Sequence, residues 1–312
     1  MSGSSGPTRV GELSARAWRA RLSGEGLGVR VGPFDLHLRV AVPEVHAPLQ
    51  MLYGDHPLLD DDHVFGCHAD LQRVWHWGRH SGRRIRFAVD GVAPHEDMPP
   101  DQGLAVLEWG INLAIAMRFH GFLMLHAAAL ERAGRVLLLP ASPGRGKTTL
   151  CAALAHRGWR LFSDEFGLVR PGGTQLVPVP RPMPLKNESI AVIREFAPQA
   201  QFGPTIPNTR KGTVVHVKPP RDSVERAAET APVGWIVFPR WAAGARQELE
   251  EIDKAEAFMA LATNAFNYDL LGEPAFETVH ALVSAARCFQ LVYSDLEATV
   301  TALTALAEGH EL

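Results

Sequence analysis

A strand-like run at residues 135–139, apolar throughout after Arg135, leads into Ala141-Ser142-Pro143-Gly144-Arg145-Gly146-Lys147-Thr148, and a proline-free stretch of helical pattern follows as far as residue 157. Strand, glycine turn, helix is the order of a phosphate-binding loop, with alanine in the first glycine place. Gly144 and Gly146 carry no Cβ, so backbone N–H groups can curl around an anion. A helix opening at Lys147 aims its positive dipole end at the same anion. Lys147 would neutralise phosphate charge, and the Thr148 hydroxyl would reach Mg²⁺. Ser142, Pro143, Arg145 and Thr149 complete the residues expected around the phosphates. The bland alternative is a chance glycine turn; the strand-loop-helix context argues against it.

The next strand-like run, 159–163, ends in Asp164-Glu165. A parallel strand next to the loop strand would open its carboxyl end beside the loop, where ligands bind in such sheets. On an extended strand the two side chains point to opposite sides, which suggests one role each. One would hold Mg²⁺ and one would take a proton from an attacking hydroxyl. Asp164 is expected to be the base and Glu165 the metal ligand, an order that can be swapped. By itself such a pair reads as a solvated strand end; beside the loop it reads as chemistry.

The rest of the chain supplies the frame. Its 312 residues suggest about two domains. At 46% hydrophobic and 21% charged, the composition supports a folded chain with a real core. The pattern divides into a flexible start at 1–26, a small α+β domain at 27–120 and an α/β domain at 121–312. In the α+β region, 29–31 and 34–40 alternate around Gly32-Pro33 as a hairpin, 84–89 is a strand, and 104–119 is a helix. Beyond about residue 123, buried strands and helices alternate, as an α/β domain requires. Ser294-Asp295-Leu296-Glu297 fits a capping box before the last helix.

A net charge of −3 argues against a dedicated nucleic-acid binder. No stretch approaches the roughly 20 apolar residues of a membrane span. Cys67, Cys151 and Cys288 are odd in number and far apart, which suits reduced thiols in a cytoplasmic protein. His63, Cys67, His68, His76 and His80 gather in the first region, but their spacing matches no tetrahedral zinc pattern. Trp75 and Trp77 there suggest a packed strand. Arg79, Arg83, Arg84 and Arg86 form a basic patch that reads by default as a solvated hairpin face.

The series His126, Ala141 to Thr148, Arg157-Gly158-Trp159-Arg160-Leu161 and Ser163-Asp164-Glu165 resembles the catalytic domain of the bacterial HPr kinase/phosphorylase family. More closely, the chain resembles the HPr-kinase-related group A proteins. That likeness rests on Glu108-Trp109-Gly110-Ile111-Asn112, His126-Ala127-Ala128, Arg181-Pro182-Met183-Pro184-Leu185-Lys186-Asn187, Lys211-Gly212-Thr213 and Phe266-Asn267-Tyr268. Phosphoenolpyruvate carboxykinase shares the underlying fold. The resemblance implies an HPr kinase C-terminal-domain-like P-loop fold, ATP and Mg²⁺, and phosphoryl transfer to a hydroxyl, a serine of a peptide or protein first of all. It does not imply HPr as substrate: the Glu-Ile-Arg-Gly signature of true HPr kinases is absent, and Glu165 stands where the family usually has Asp. It also implies a PqqD-like peptide-binding partner, and a homo-oligomer is in keeping with it.

Three further residues enter the expected site. His126 lies in the apolar strand before the loop strand and would act as an acid/base aid or phosphate contact, or is a core histidine. Lys186 would supply a cation where charge builds on the transferred group, or is solvated. Lys211, in the basic turn Arg210-Lys211-Gly212-Thr213, would clamp a phosphate or ride on a mobile lid, or is an exposed hairpin tip. Phe266-Asn267-Tyr268 reads as packing. The reading that unites these residues is a Mg²⁺- and ATP-dependent kinase. A metabolite kinase, a carboxykinase-like lyase, a plain ATPase and a nucleotide-binding adaptor without transfer remain the alternatives.

Overall fold

The computed structural model describes residues 9–77, 81–142 and 144–309. These form two compact units. One comprises the chain up to Arg118 together with Gln201–Lys218; the other comprises Phe119–Ala200 and Pro219 onward.

The first unit begins earlier than the sequence suggests. Residues 1–8 lie outside the described part, but the remainder of the expected flexible start is ordered. Helix α1 (Ala15–Ser23) is capped by Ser14, whose hydroxyl accepts from the Ala17 N–H. Trp18 and Leu22 of α1 are buried, and the Trp18 indole donates to the His46 carbonyl at 2.7 Å. Two buried apolar side chains offset the ordering entropy of this short helix. Strands β1 (Leu27–Val31) and β2 (Phe34–Val40) form the expected antiparallel hairpin. Helix α2 (Pro43–Leu52), β3 (Leu58–Leu59), β4 (Cys67–His76), β5 (Gly82–Val89) and helix α3 (Gly103–Arg118) follow. The sheet order is β3-β1-β2-β4-β5. Gly110 lets α3 lie close on this sheet, because a Cβ there would stand 2.4 Å from the Phe87 ring.

Cys67, Ala69 and Leu71 of β4 are buried, but from Arg73 onward this face is uncovered. Trp75 and Trp77 are therefore exposed and meet edge to face, not packed as expected. His63 bonds Asp35 and His76 bonds Asp97. Among the described residues no group of three or more potential ligands could hold a metal ion; His80 and Arg79 lie outside them.

The second unit opens with β6 (Leu123–Arg132), β7 (Arg135–Pro140) and helix α4 (Lys147–Ala155). Then come β8 (Arg160–Ser163), β9 (Phe166–Val169), β10 (Gln175–Val177), β11 (Met183–Lys186) and helix α5 (Glu188–Phe196). At this point the chain returns to the first unit for the hairpin β12 (Ile206–Thr209) and β13 (Gly212–Val217). The α/β domain is thus not the contiguous 121–312 expected. Residues 201–218 are anchored in the first unit, where Gly203 N–H bonds the His216 carbonyl and Lys218 pairs with Asp55 at 2.7 Å. The second unit resumes with α6 (Arg221–Glu225), β14 (Ala231–Trp241), β15 (Glu248–Glu251), α7 (Lys254–Thr263), α8 (Tyr268–Leu271), α9 (Glu273–Ala285), β16 (Arg287–Tyr293) and α10 (Leu296–Glu308).

The main sheet runs β10-β9-β6-β7-β14-β16-β15, with β8 paired to β6. β7, β14 and β16 are mutually parallel, while β6 is antiparallel to β7, β8 and β9. β8 therefore shares the direction of β7 without touching it; β6 lies between. The carboxyl ends of β7, β8, β14 and β16 open along one edge of the sheet. Leu125, Ala127, Leu138, Ile236, Leu261, Val279 and Cys288 belong to the core. The last helix is capped by Asp295, whose carboxylate accepts from Ala298 N–H, and not by Ser294, which donates to the Ala245 carbonyl. Among the described residues no helix is long and apolar enough to cross a membrane.

Candidate active site

The glycine loop joins β7 to α4 as the sequence suggests, and two distant strand ends fix its shape. Gly144 and Gly146 have φ of 86° and 88°, values that favour glycine. The Tyr293 hydroxyl at the end of β16 donates to the Gly146 carbonyl at 3.1 Å. The Trp241 N–H at the end of β14 donates to the Arg145 carbonyl at 3.1 Å. A Cβ on Gly146 would stand 2.4 Å from the Tyr293 oxygen, so this glycine is required twice over. Gly146 is also the N-cap of α4 and has no side chain to bond the first-turn N–H groups. Those donors are left for something else. Ser142, Gly144 and Arg145 are exposed, while Thr148 and Thr149 are half-buried on the first turn. Pro143 lies outside the described residues.

Lys147 is 7% exposed, and its Nζ has no hydrogen-bond partner. The nearest carboxylate oxygen is Glu165 Oε2 at 3.8 Å, beyond hydrogen-bond reach. Such an ammonium costs free energy unless an anion meets it.

The acidic pair differs from expectation in geometry. After β8 the Ser163 hydroxyl accepts the N–H of Glu165 (3.1 Å) and of Phe166 (2.9 Å). This turn ends the extended backbone at Ser163, so the alternation of an extended strand does not govern Asp164 and Glu165. Both lie in the fields of Lys147 and Lys186, and the Glu165 charge acts on Asp164. Asp164 is 5% exposed with its Oδ2 unpartnered. Burial first, and the Glu165 charge second, push its carboxyl up to about 7, with Lys147, Arg181 and Lys186 opposing. Glu165 goes the other way. Burial would raise it, but the His126 bond and the charges of Lys147 and Lys186 together hold it down to about 2. Near neutrality one negative charge resides on Glu165 and a titratable proton on Asp164.

His126 belongs to the site. Its Nε2 is 3.4 Å from Glu165 Oε1, and its ring is 5.1 Å from that of Phe266. Phe266 is 47% exposed and also 5.4 Å from Phe166, so the packing expected of it is a set of ring contacts at the edge of the site. Asn267 holds it there: its amide accepts from Met124 N–H and donates to the Phe122 carbonyl, both within 3.0 Å. Lys186 stands at the end of β11 before Asn187, whose φ of 52° is uncommon for a non-glycine residue. Lys186 and Arg181 both act on Asp164. Lys211 belongs to the first unit, where its ammonium lies 5.2 Å from the Trp109 ring centroid and its N–H bonds Thr209.

Three residues of this neighbourhood escape a reading of the sequence. Arg181 is a buried arginine among prolines, and nothing local marks it as buried. Trp241 and Tyr293 end strands whose meeting with the loop depends on strand order. The only sequence signal for either is that it closes an apolar strand.

Together these groups gather at one site the uncapped amides, a buried cation and an acidic pair of split proton affinity. Such a site can bind a polyanion and take up a proton beside it. No protein-family model matches the chain, and no curated protein matches it. Among solved structures, the Hpr(Ser) kinase/phosphatase from Coxiella burnetii is matched over 60% of this chain and 95% of that one, at 13% identity and a TM-score of 0.28. A likeness of that size carries no argument.

Proposed function

We propose that this chain is a phosphotransferase that moves the γ-phosphoryl group of a nucleoside triphosphate, ATP first of all, to a hydroxyl. The observation that carries the reading is the buried Lys147 ammonium, without a hydrogen-bond partner and 3.8 Å from Glu165, beside the uncapped start of α4. The fold proposed for the second unit is that of an HPr kinase C-terminal domain, supported by the order β7, glycine loop, α4, β8, acidic pair.

The residues fit a magnesium-bound triphosphate. Lys147 and the first-turn amides of α4 would take the phosphates, and the Thr148 hydroxyl and Glu165 carboxylate would hold Mg²⁺. When bound, Mg²⁺ supplies charge neutralisation on the phosphates. Asp164 positions the acceptor hydroxyl and takes its proton on Oδ2 as the new O–P bond forms and the bond to the leaving diphosphate breaks. An affinity near pH 7 suits that task. His126 holds Glu165 in place and in its charged form. Lys186 and Arg181 add positive charge where the transferring group gathers negative charge.

The acceptor is proposed to be a serine of a peptide or protein, presented by a PqqD-like partner. Incubation with γ-labelled ATP and Mg²⁺ against peptide pools tests this. Label on a discrete serine, lost in Asp164→Asn, is expected. Label on a small molecule alone would replace the peptide by a metabolite. Tight nucleotide binding with neither transfer nor hydrolysis would overturn the enzyme reading.

A further inference from the structure

The site has two flanks, and they differ in chemistry. β6 and β8 lie on one side of β7, and β14 and β16 on the other. Asp164, Glu165, His126 and Phe266 occupy the first flank. On the second, the groups that touch the loop are Tyr293 and Trp241. The Tyr293 hydroxyl is committed to the Gly146 carbonyl. Trp241 is committed only through its backbone, which donates to the Arg145 carbonyl. Its Cβ lies 3.0 Å from where a Cβ on Gly146 would be, so it abuts the loop directly, yet the residue is 48% exposed. An indole held against the loop by its own main chain and left open to solvent has a face to offer a ligand.

Transfer of a phosphoryl group sets the direction. The attacking hydroxyl and the leaving oxygen are roughly in line on opposite sides of phosphorus. With Asp164 as the base, the acceptor enters from the β8 flank. The rest of the nucleotide must then extend toward the β14 flank. Phe266 is on the acceptor's side, its ring against His126.

We infer that the Trp241 indole is the platform on which the nucleobase of the bound nucleotide stacks. The inference rests on the phosphotransferase reading and adds to it where the base lies and what recognises it. Stacking tolerates any base, since every base has a π-face. The platform therefore gives affinity for nucleotides over bare polyphosphate with little preference between adenine and guanine.

Calorimetric titration of the full chain with ADP, GDP and tripolyphosphate, each with Mg²⁺, tests it. Trp241→Ala is expected to weaken ADP and GDP about tenfold and leave tripolyphosphate within about twofold. Trp241→Phe, which keeps a ring, should restore most of the lost affinity. An equal loss for all three probes in both variants would overturn the inference, since the indole would then merely prop the loop. So would unchanged ADP affinity in Trp241→Ala, or an ADP-specific loss in Phe266→Ala instead. Failure of the underlying reading looks different: the unaltered chain would bind neither ADP nor tripolyphosphate, and the platform would fall with it.

Discussion

Asp97 in the first unit is half-buried and Asp164 in the second is buried, and their proton affinities move in opposite directions. Two Arg86 nitrogens bond Asp97 at 2.8 and 2.7 Å, and His76 adds a third bond at 2.6 Å. Arg86 first, then His76, outweigh burial and hold it below the ordinary carboxylate range. Asp164 has cations near it, but burial and the Glu165 charge win, and one of its oxygens has no partner. The same contrast separates Arg30-Asp35-His63, a closed set of bonds, from Lys147, a buried cation with none. Closed sets of partners hold a fold together. An open set of buried charges is stable only when something else completes it.

Asp164→Asn breaks the comparison at its strongest point. Transfer should fall roughly 10³-fold with nucleotide affinity nearly unchanged, read by single-turnover kinetics beside calorimetry. Full activity would remove Asp164 as the base. Lys147→Ala should weaken triphosphate binding by roughly 100-fold; unchanged binding would mean that the loop does not hold the phosphates.

Stability should carry the same signature. An unfolded aspartate titrates near about 3.9, whereas native Asp164 does so at about 7. Between those values the native state binds more protons, so this residue's contribution to stability falls as pH rises. Asp164→Asn should therefore raise stability at about pH 8.5 by roughly 2–4 kcal/mol and change little at about pH 4. Urea titrations at both values check it, and destabilisation at the higher one would contradict the raised affinity.

Smaller effects sharpen the contrast. His126→Gln frees Glu165 to protonate more readily and should cost about tenfold in transfer, most at low pH; a flat loss across pH would make His126 a packing residue. Asp97→Asn should cost about 1–2 kcal/mol of stability near neutrality and leave transfer untouched. Because the native affinity of Asp97 is lowered, its contribution is present above the ordinary carboxylate range and fades as pH falls. A transfer defect in this variant would mean that the two regions are not separate in function.

Much of this architecture is legible along the chain because its causes are local. The alternation at 29–40 gives the β1–β2 hairpin, and the apolar spacing from Leu104 gives α3. Ser294 and Asp295 are both plausible caps by residue type; the choice between them turned on the Ala245 carbonyl, which comes from elsewhere in the chain. Trp75 and Trp77 show the limit of pattern. They continue the buried face of β4, but among the described residues nothing covers that face beyond Leu71.

What the chain determines alone is where the glycine loop and its helix fall, because Gly144 and Gly146 accept φ near +90° without strain and Gly146 has no side chain to cap the helix. Tertiary structure decided the rest. It placed β6 between β7 and β8, and it let Ser163 bend the acidic pair toward Lys147. It also brought Trp241 and Tyr293 to the loop from the far end of the sequence. Burial and charge act through space, so the proton affinities of Asp164 and Glu165 were set only when strands remote in sequence closed around them.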